Sequence, residues 1–127
     1  MLLVDTSVWV AHLRRQGQRL HNLLEYEFVC CYPLIIGELA CGNIKNRTEV
    51  LMLLKKLPGV QQLDHQEVFS FIDRHHLMGK GLSFVDTHLL ASAYISGLSI
   101  WTEDKSMQFA ARHLGLLYSY LLRASRL

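Results

Sequence analysis

The sequence predicts an α/β fold with a central parallel sheet and helices on both faces, and three observations lead there. Short apolar runs of strand length alternate with stretches of helical character along the chain, a pattern that favours parallel strands joined by right-handed crossovers. Half of the 127 residues are hydrophobic and only 19% are charged, with 8 glycines and 2 prolines, which excludes both disorder and a fibrous repeat. The length suits one domain over residues 1–127, large enough to bury well over half of the surface exposed by the unfolded chain.

Leu2-Leu3-Val4 reads as a buried strand, and Asp5-Thr6-Ser7 supplies helix-start residues ahead of Val8, Trp9, Val10 and Leu13. A second helix is expected from about Gln18 to Tyr26, then a strand over Phe28 to Cys31. Pro33 is suited to the first turn of a helix over Leu34 to Gly42, and a further helix over Arg47 to Leu57 ends at Pro58-Gly59. Val60 to Leu63 is expected as a short strand, with Asp64 capping a helix that runs to about Met78. After the Gly79-Lys80-Gly81 loop come a helix over Phe84 to Ser96 and a strand over Leu98 to Trp101. Thr102 is expected to cap a last helix to about His113, before a terminal strand at Leu116 to Tyr118.

No apolar run is long enough to span a bilayer. The start, Met1-Leu2-Leu3-Val4-Asp5, lacks the basic segment of a secretory leader, so cytoplasmic residence is the expectation. Cys30, Cys31 and Cys41 are odd in number and fit neither a disulfide framework nor a paired zinc site, so they are read as reduced thiols in or near the core. A net charge of +2 and a pI near 8.5 are too mild to announce a nucleic-acid partner and do not oppose one.

In open parallel sheets ligands bind beyond the carboxyl ends of the strands, and there four acids draw notice. Asp5 follows the first strand and Asp104 follows a later one within three residues, while Glu38 and Asp86 lie near the starts of two helices. Each has an ordinary structural role available. Asp5 suits a helix cap, Asp104 with Glu103 suits the positive end of a helix, and Ser83-Phe84-Val85-Asp86 matches a capping box. Yet Leu89, Leu90 and Ala93 follow Asp86 at helical spacing, which points its carboxylate along the face expected to pack inward. Glu38 is the only charge between Glu27 and Lys45, and a carboxylate entering apolar surroundings must be hydrogen-bonded, paired or bound to a cation.

Taken together, Val4-Asp5-Thr6-Ser7-Val8-Trp9, Gly37-Glu38-Leu39-Ala40-Cys41-Gly42, Val85-Asp86-Thr87-His88-Leu89-Leu90-Ala91-Ser92-Ala93 and Trp101-Thr102-Glu103-Asp104-Lys105 resemble the PIN-domain signature over essentially the whole chain. At this length the chain resembles the VapC toxins of bacterial and archaeal toxin-antitoxin pairs, endoribonucleases restrained by a co-expressed antitoxin. The resemblance implies a three-layer α/β/α PIN fold and an acidic quartet of Asp5, Glu38, Asp86 and Asp104. Thr6, Ser7 and Thr102 match polar positions close to that site, and Glu103 adjoins the fourth acid. The resemblance further implies an RNA substrate, an antitoxin partner and a homodimer.

An oxygen-rich carboxylate cluster suits Mg²⁺ or Mn²⁺, as one ion or two, and phosphodiester hydrolysis then needs no protein nucleophile. His12, His21, His65, His75, His76, His88 and His113 show no zinc spacing. Because carboxylates repel a phosphate backbone, nearby cations must assist, and Arg14, Arg15, Arg19, Lys45, Arg47 and Lys80 flank the expected site elements, with ordinary solvated surface the commoner role for most of them. Trp9 and Trp101 read as buried, Trp9 in the core or at a dimer interface. Two rivals stand beside this reading. One is a phosphatase of the haloacid-dehalogenase type using Asp5 as phosphoryl acceptor, which expects an Asp where this chain has Ser7. The other is a PIN-like RNA-binding or protein-interaction module without turnover.

Overall fold

The computed structural model describes residues 1–15 and 28–119. In chain order the elements are β1 (Leu2–Val4), α1 (Thr6–Arg15), β2 (Val29–Cys30), α2 (Pro33–Cys41), α3 (Arg47–Lys56), α4 (His65–Arg74), α5 (Phe84–Ser96), β3 (Ser99–Trp101) and α6 (Lys105–His113). The helix expected from Gln18 to Tyr26 lies outside the described residues, with Arg19 and His21.

The three strands form a parallel sheet in the order β2-β1-β3. Leu2 pairs with Val29 and Ser99, and Leu3 with Cys30 and Ile100, so β1 is the central strand. A central strand covered on both faces has no polar side to show, and Leu2, Leu3 and Val4 are all buried. The strand expected over Val60 to Leu63 does not form, the neighbouring Gly59 making only a single bridge with Cys31, and the strand expected over Leu116 to Tyr118 is reduced to a single bridge of Leu117 with Ile100. Cys31 N–H still donates to the Pro58 carbonyl at 3.0 Å, and Tyr118 N–H to that of Ile100 at 2.8 Å.

Local chemistry sets the helix ends. Pro33 occupies the first turn of α2, after Tyr32 in the N-cap position. Asp64 and Glu67 form a reciprocal capping box on α4, and Ser83 and Asp86 form another on α5. Gly97 ends α5 at φ 69°, a left-handed conformation that a Cβ would strain. Helix α4 stops at Arg74 rather than near Met78, where His76 turns the chain at φ 53°. Thr102 is not the cap of α6. Asp104 is, its side chain accepting from Met107 N–H at 2.9 Å, while the Thr102 hydroxyl accepts from Asp104 N–H ahead of the helix.

The core gathers β1, β2 and β3 with Trp9, Ile35, Leu54, Leu89 and Met107. Trp9 is buried in the core, whereas Trp101, also expected buried, is only half-buried, against Tyr118. Cys30 and Cys31 are free and buried, and burial pushes the Cys31 thiol up to about 12, so it stays protonated. Cys41, expected in or near the core, is exposed. No helix among the described residues is long and apolar enough to cross a membrane.

The capping box of α4 gives a stability test. Asp64→Ala removes the acceptor for Glu67 N–H and should cost about 0.5–2 kcal/mol in a urea unfolding experiment. A midpoint identical to wild type would show that α4 does not depend on this cap.

Candidate active site at the carboxyl ends of the strands

β1 delivers Asp5 to the carboxyl edge of the sheet. Its N–H donates to the Trp101 carbonyl at 2.9 Å, extending the β1-β3 pairing by one bond, and its own carbonyl accepts from Val8 and opens α1. The side chain is 6% exposed. Ser7 and Thr102 both donate hydroxyl hydrogen bonds to Oδ2, each at 2.8 Å, so Asp5 is held by residues from both ends of the chain. The Ser7 hydroxyl accepts in turn from Glu103 N–H at 3.0 Å, and the Thr102 hydroxyl from Asp104 N–H at 3.1 Å. Gln108 closes the arrangement by donating from Nε2 to the Thr102 carbonyl at 3.0 Å. Its role was missed in the sequence, where the only signal was an amide one helical turn after Asp104.

Asp86 and Asp104 stand on the two helices that start beside Asp5. Asp86 Oδ2 accepts from Ser83 N–H at 2.9 Å, while Asp104 uses Oδ1 for its own cap. Burial raises the Asp86 carboxyl above its usual 3.8. The Asp5 and Asp104 charges raise it further, against the lowering effect of the Ser83 hydrogen bonds. The three carboxylates thus share one electrostatic field. They also share a construction: among the described residues the hydrogen bonds to each fall on a single oxygen, leaving Asp5 Oδ1, Asp86 Oδ1 and Asp104 Oδ2 for other partners. The loop ahead of α5 packs against the start of α6, since a Cβ on Gly81 would sit 3.0 Å from Ser106 Oγ, and Gly81 has φ +76°.

Glu38 differs from its expected setting. Although its sequence neighbours are apolar, α2 buries Ile35 and Leu39 and leaves Glu38 exposed. One hydrogen bond links it to the site, from Thr6 Oγ1 at 2.8 Å. Glu103 is exposed and enters the network through its backbone. Arg14 and Arg15 lie in the last turn of α1, and Arg14, Lys45 and Lys80 are exposed. Arg47 has a structural task, donating through Nε and Nη2 to the Ala40 carbonyl at the end of α2.

The donor chemistry suits a hard divalent cation, being oxygen only and anionic. Among the described residues, however, no three His, Cys, Asp or Glu side chains are drawn closely enough together to hold one ion by direct bonds alone. Ligation by fewer carboxylates, with water completing the shell, is what Mg²⁺ ordinarily accepts.

A family model described as PIN domain matches residues 2–112. The chain belongs to the PIN-domain family. Ribonuclease VapC32 of Mycobacterium tuberculosis (strain CDC 1551 / Oshkosh) is 44% identical over 117 residues, covering 91% of this chain and 94% of that protein. The same protein of strain ATCC 25618 / H37Rv gives the same figures. The crystal structure of PAE2754 from Pyrobaculum aerophilum aligns with a TM-score of 0.56 at 18% identity, covering 90% of this chain and 88% of that one. At that identity the likeness establishes the shared PIN fold alone.

The raised Asp86 carboxyl predicts a pH-dependent stability difference. A group whose pKa is higher folded than unfolded contributes stability at pH below the unfolded value and loses it as pH rises through the folded one. Asp86→Asn keeps an acceptor for Ser83 N–H and removes the charge. In metal-free urea denaturations its stability relative to wild type should therefore increase as pH rises from below 3.8 through the raised value. A pH-independent difference would contradict the shared field.

Proposed function

We propose that this chain is a VapC-type endoribonuclease, the toxin of a toxin-antitoxin pair, hydrolysing RNA phosphodiester bonds in the cytoplasm with Mg²⁺ or Mn²⁺. The observation that carries the reading is the arrangement of Asp5, Asp86 and Asp104 at the carboxyl edge of the sheet, in one electrostatic field and each with an uncommitted oxygen. The 44% identity to Ribonuclease VapC32 over most of both chains supports it.

Asp5 and Asp86 are assigned as the primary metal ligands, with Asp104 and Glu38 completing the site directly or through bound water. Ser7 and Thr102 fix the Asp5 carboxylate by donating to one oxygen, Thr6 orients Glu38, and Glu103 adjoins Asp104. When bound, one or two divalent ions supply charge neutralisation at the phosphodiester and a more acidic water. Burial raises the Asp86 carboxyl and the Asp5 and Asp104 charges add to it, so a cation held beside Asp86 would favour its charged form. Arg14, Arg15, Lys45 and Lys80 are assigned to the phosphate backbone, which a carboxylate pocket alone repels. The partners are RNA, an antitoxin protein and a second copy of the chain.

Purified protein should cleave RNA, stop with a chelator and resume with Mg²⁺ or Mn²⁺. Asp5→Asn and Asp86→Asn should each lower turnover by more than about a hundredfold in a folded protein, the scale of losing one charge-stabilising group. Asp104→Asn should be more damaging than Glu103→Gln. Chelator-resistant cleavage, or an active Asp86→Asn, would remove the metal-site assignment, and the reverse ranking would move the fourth acidic role to Glu103.

A further inference from the structure

Asp5 is held partly by a hydroxyl whose own direction has to be decided. The Ser7 hydroxyl has one hydrogen and can turn it to any acceptor in reach, so its 2.8 Å bond to Asp5 Oδ2 depends on what else it meets. One neighbour is the Thr102 hydroxyl at 3.4 Å, which has given its own hydrogen to Asp5 and could accept that of Ser7. The other is Glu103 N–H at 3.0 Å. A backbone N–H can only donate. Arriving at the Ser7 oxygen, it takes a lone pair and leaves the hydroxyl hydrogen for the carboxylate.

The direction of Glu103 N–H is set at the other end of its peptide. That N–H and the Thr102 carbonyl belong to one planar unit, and no peptide bond among the described residues is cis, so the two groups point opposite ways. Thr102 is buried, and its carbonyl lies ahead of α6: the backbone N–H of Gln108 goes to the Asp104 carbonyl instead, at 2.9 Å. The Thr102 carbonyl is met by the Gln108 side chain, from Nε2 at 3.0 Å. Gln108 therefore grips the segment on both sides of Glu103, with its backbone on Asp104 and its side chain on Thr102. The bonds run in one direction, from Gln108 Nε2–H to the Thr102 carbonyl, across the peptide to Glu103 N–H, on to the Ser7 hydroxyl and so to Asp5 Oδ2. In such a run each bond polarises the next.

We propose that Gln108 is a positioning residue for the cation site: by fixing the Thr102–Glu103 peptide it turns the Ser7 hydroxyl onto Asp5 and so holds that carboxylate in its cation-binding orientation. The inference rests on the metal-dependent ribonuclease reading and adds to it a residue that acts only through others. The route through Ser7 is specific, because the Thr102 hydroxyl has a separate backbone donor in Asp104 N–H. A residue that merely steadied the start of α6 would make the same bond to Thr102. The two roles differ in where the loss of that bond is felt, in the carboxylate or in the helix.

The test uses the full-length protein and follows Mn²⁺ binding by calorimetry, the Glu103 amide by NMR of the metal-free protein, and RNA cleavage by gel. Gln108→Met keeps the length of the side chain and removes the donor. Gln108→Asn keeps the amide and withdraws it by one methylene, an independent variant should Met disturb the packing. Positioning predicts that either change weakens Mn²⁺ binding about tenfold, the low end for losing a partner that orients a metal ligand. At subsaturating Mn²⁺, kcat should fall by a similar factor with KM for RNA little changed. The Glu103 amide resonance should move and its hydrogen exchange quicken, while the Met107 amide, held by the Asp104 cap, stays as in wild type. In a Ser7→Ala background Gln108→Met should cost no further Mn²⁺ affinity. An equal loss in both backgrounds would overturn the route through Ser7, and with it the proposal. Wild-type Mn²⁺ affinity in the Gln108 variants, whatever their melting temperature, would overturn it in favour of a helix-steadying role. A wild type that binds no Mn²⁺ would overturn it together with the metal-site reading. Gln108-dependent Mn²⁺ binding without cleavage of any RNA would sink the ribonuclease reading and leave the positioning role standing.

Discussion

The pair of hydroxyl hydrogen bonds to Asp5 Oδ2 ties together parts of the chain that are almost its whole length apart. Ser7 brings the first turn of α1, and Thr102 brings the connection between β3 and α6, separated from Asp5 by 97 positions. Each hydroxyl has one hydrogen, and each gives it to the carboxylate while accepting a backbone N–H from the Glu103-Asp104 segment. Because Asp5 is nearly buried, leaving its oxygen without these donors would cost roughly 1–3 kcal/mol per lost bond. The same contacts set where α6 begins and hence where Asp104 stands. Fold and site are thus one construction at this edge of the sheet.

The other acids show how a structural task leaves room for the chemical one proposed for the same side chain. Asp86 completes the capping box of α5 and Asp104 caps α6, so the ordinary explanation holds for each acid and does not exclude the proposed one. A carboxylate has more acceptor capacity than a cap consumes. Using the cap to fix the side chain, and the remaining oxygen to meet a cation, gives an oriented ligand at a helix start. The accompanying strain is electrostatic: Asp86 is half-buried near two like charges. A cation would relieve it.

Much of this was legible in the sequence where signals are local. The cap at Asp64, the capping box at Ser83 and Pro33 in a first turn marked α4, α5 and α2, and Phe84–Ser96 matches its expected bounds. Long-range bonds decided what was not legible. Thr102 and Asp104 are both good caps, and in the fold Asp104 takes the cap while Thr102 bonds the Asp5 carboxylate, far away in sequence. Glu38 sits among apolar residues in sequence, but helical periodicity turns Ile35 and Leu39 inward and Glu38 outward. Hydrogen bonds link Tyr32 to His88 and His88 to His65 across as many as 56 positions, and a search for zinc spacing among the histidines passes over them.

A cation site to which Asp5, Asp86 and Asp104 each contribute, directly or through bound water, is the central claim, and Mn²⁺ binding by calorimetry bears on it without depending on any RNA. Wild type is compared with Asp5→Asn, Asp86→Asn, Asp104→Asn and Glu103→Gln, each shown to be folded by circular dichroism. A shared site predicts that each of the three Asp→Asn proteins loses more than about tenfold in affinity and that Glu103→Gln binds as wild type does. Wild-type affinity in Asp5→Asn or Asp86→Asn would contradict it and return that carboxylate to a purely structural role.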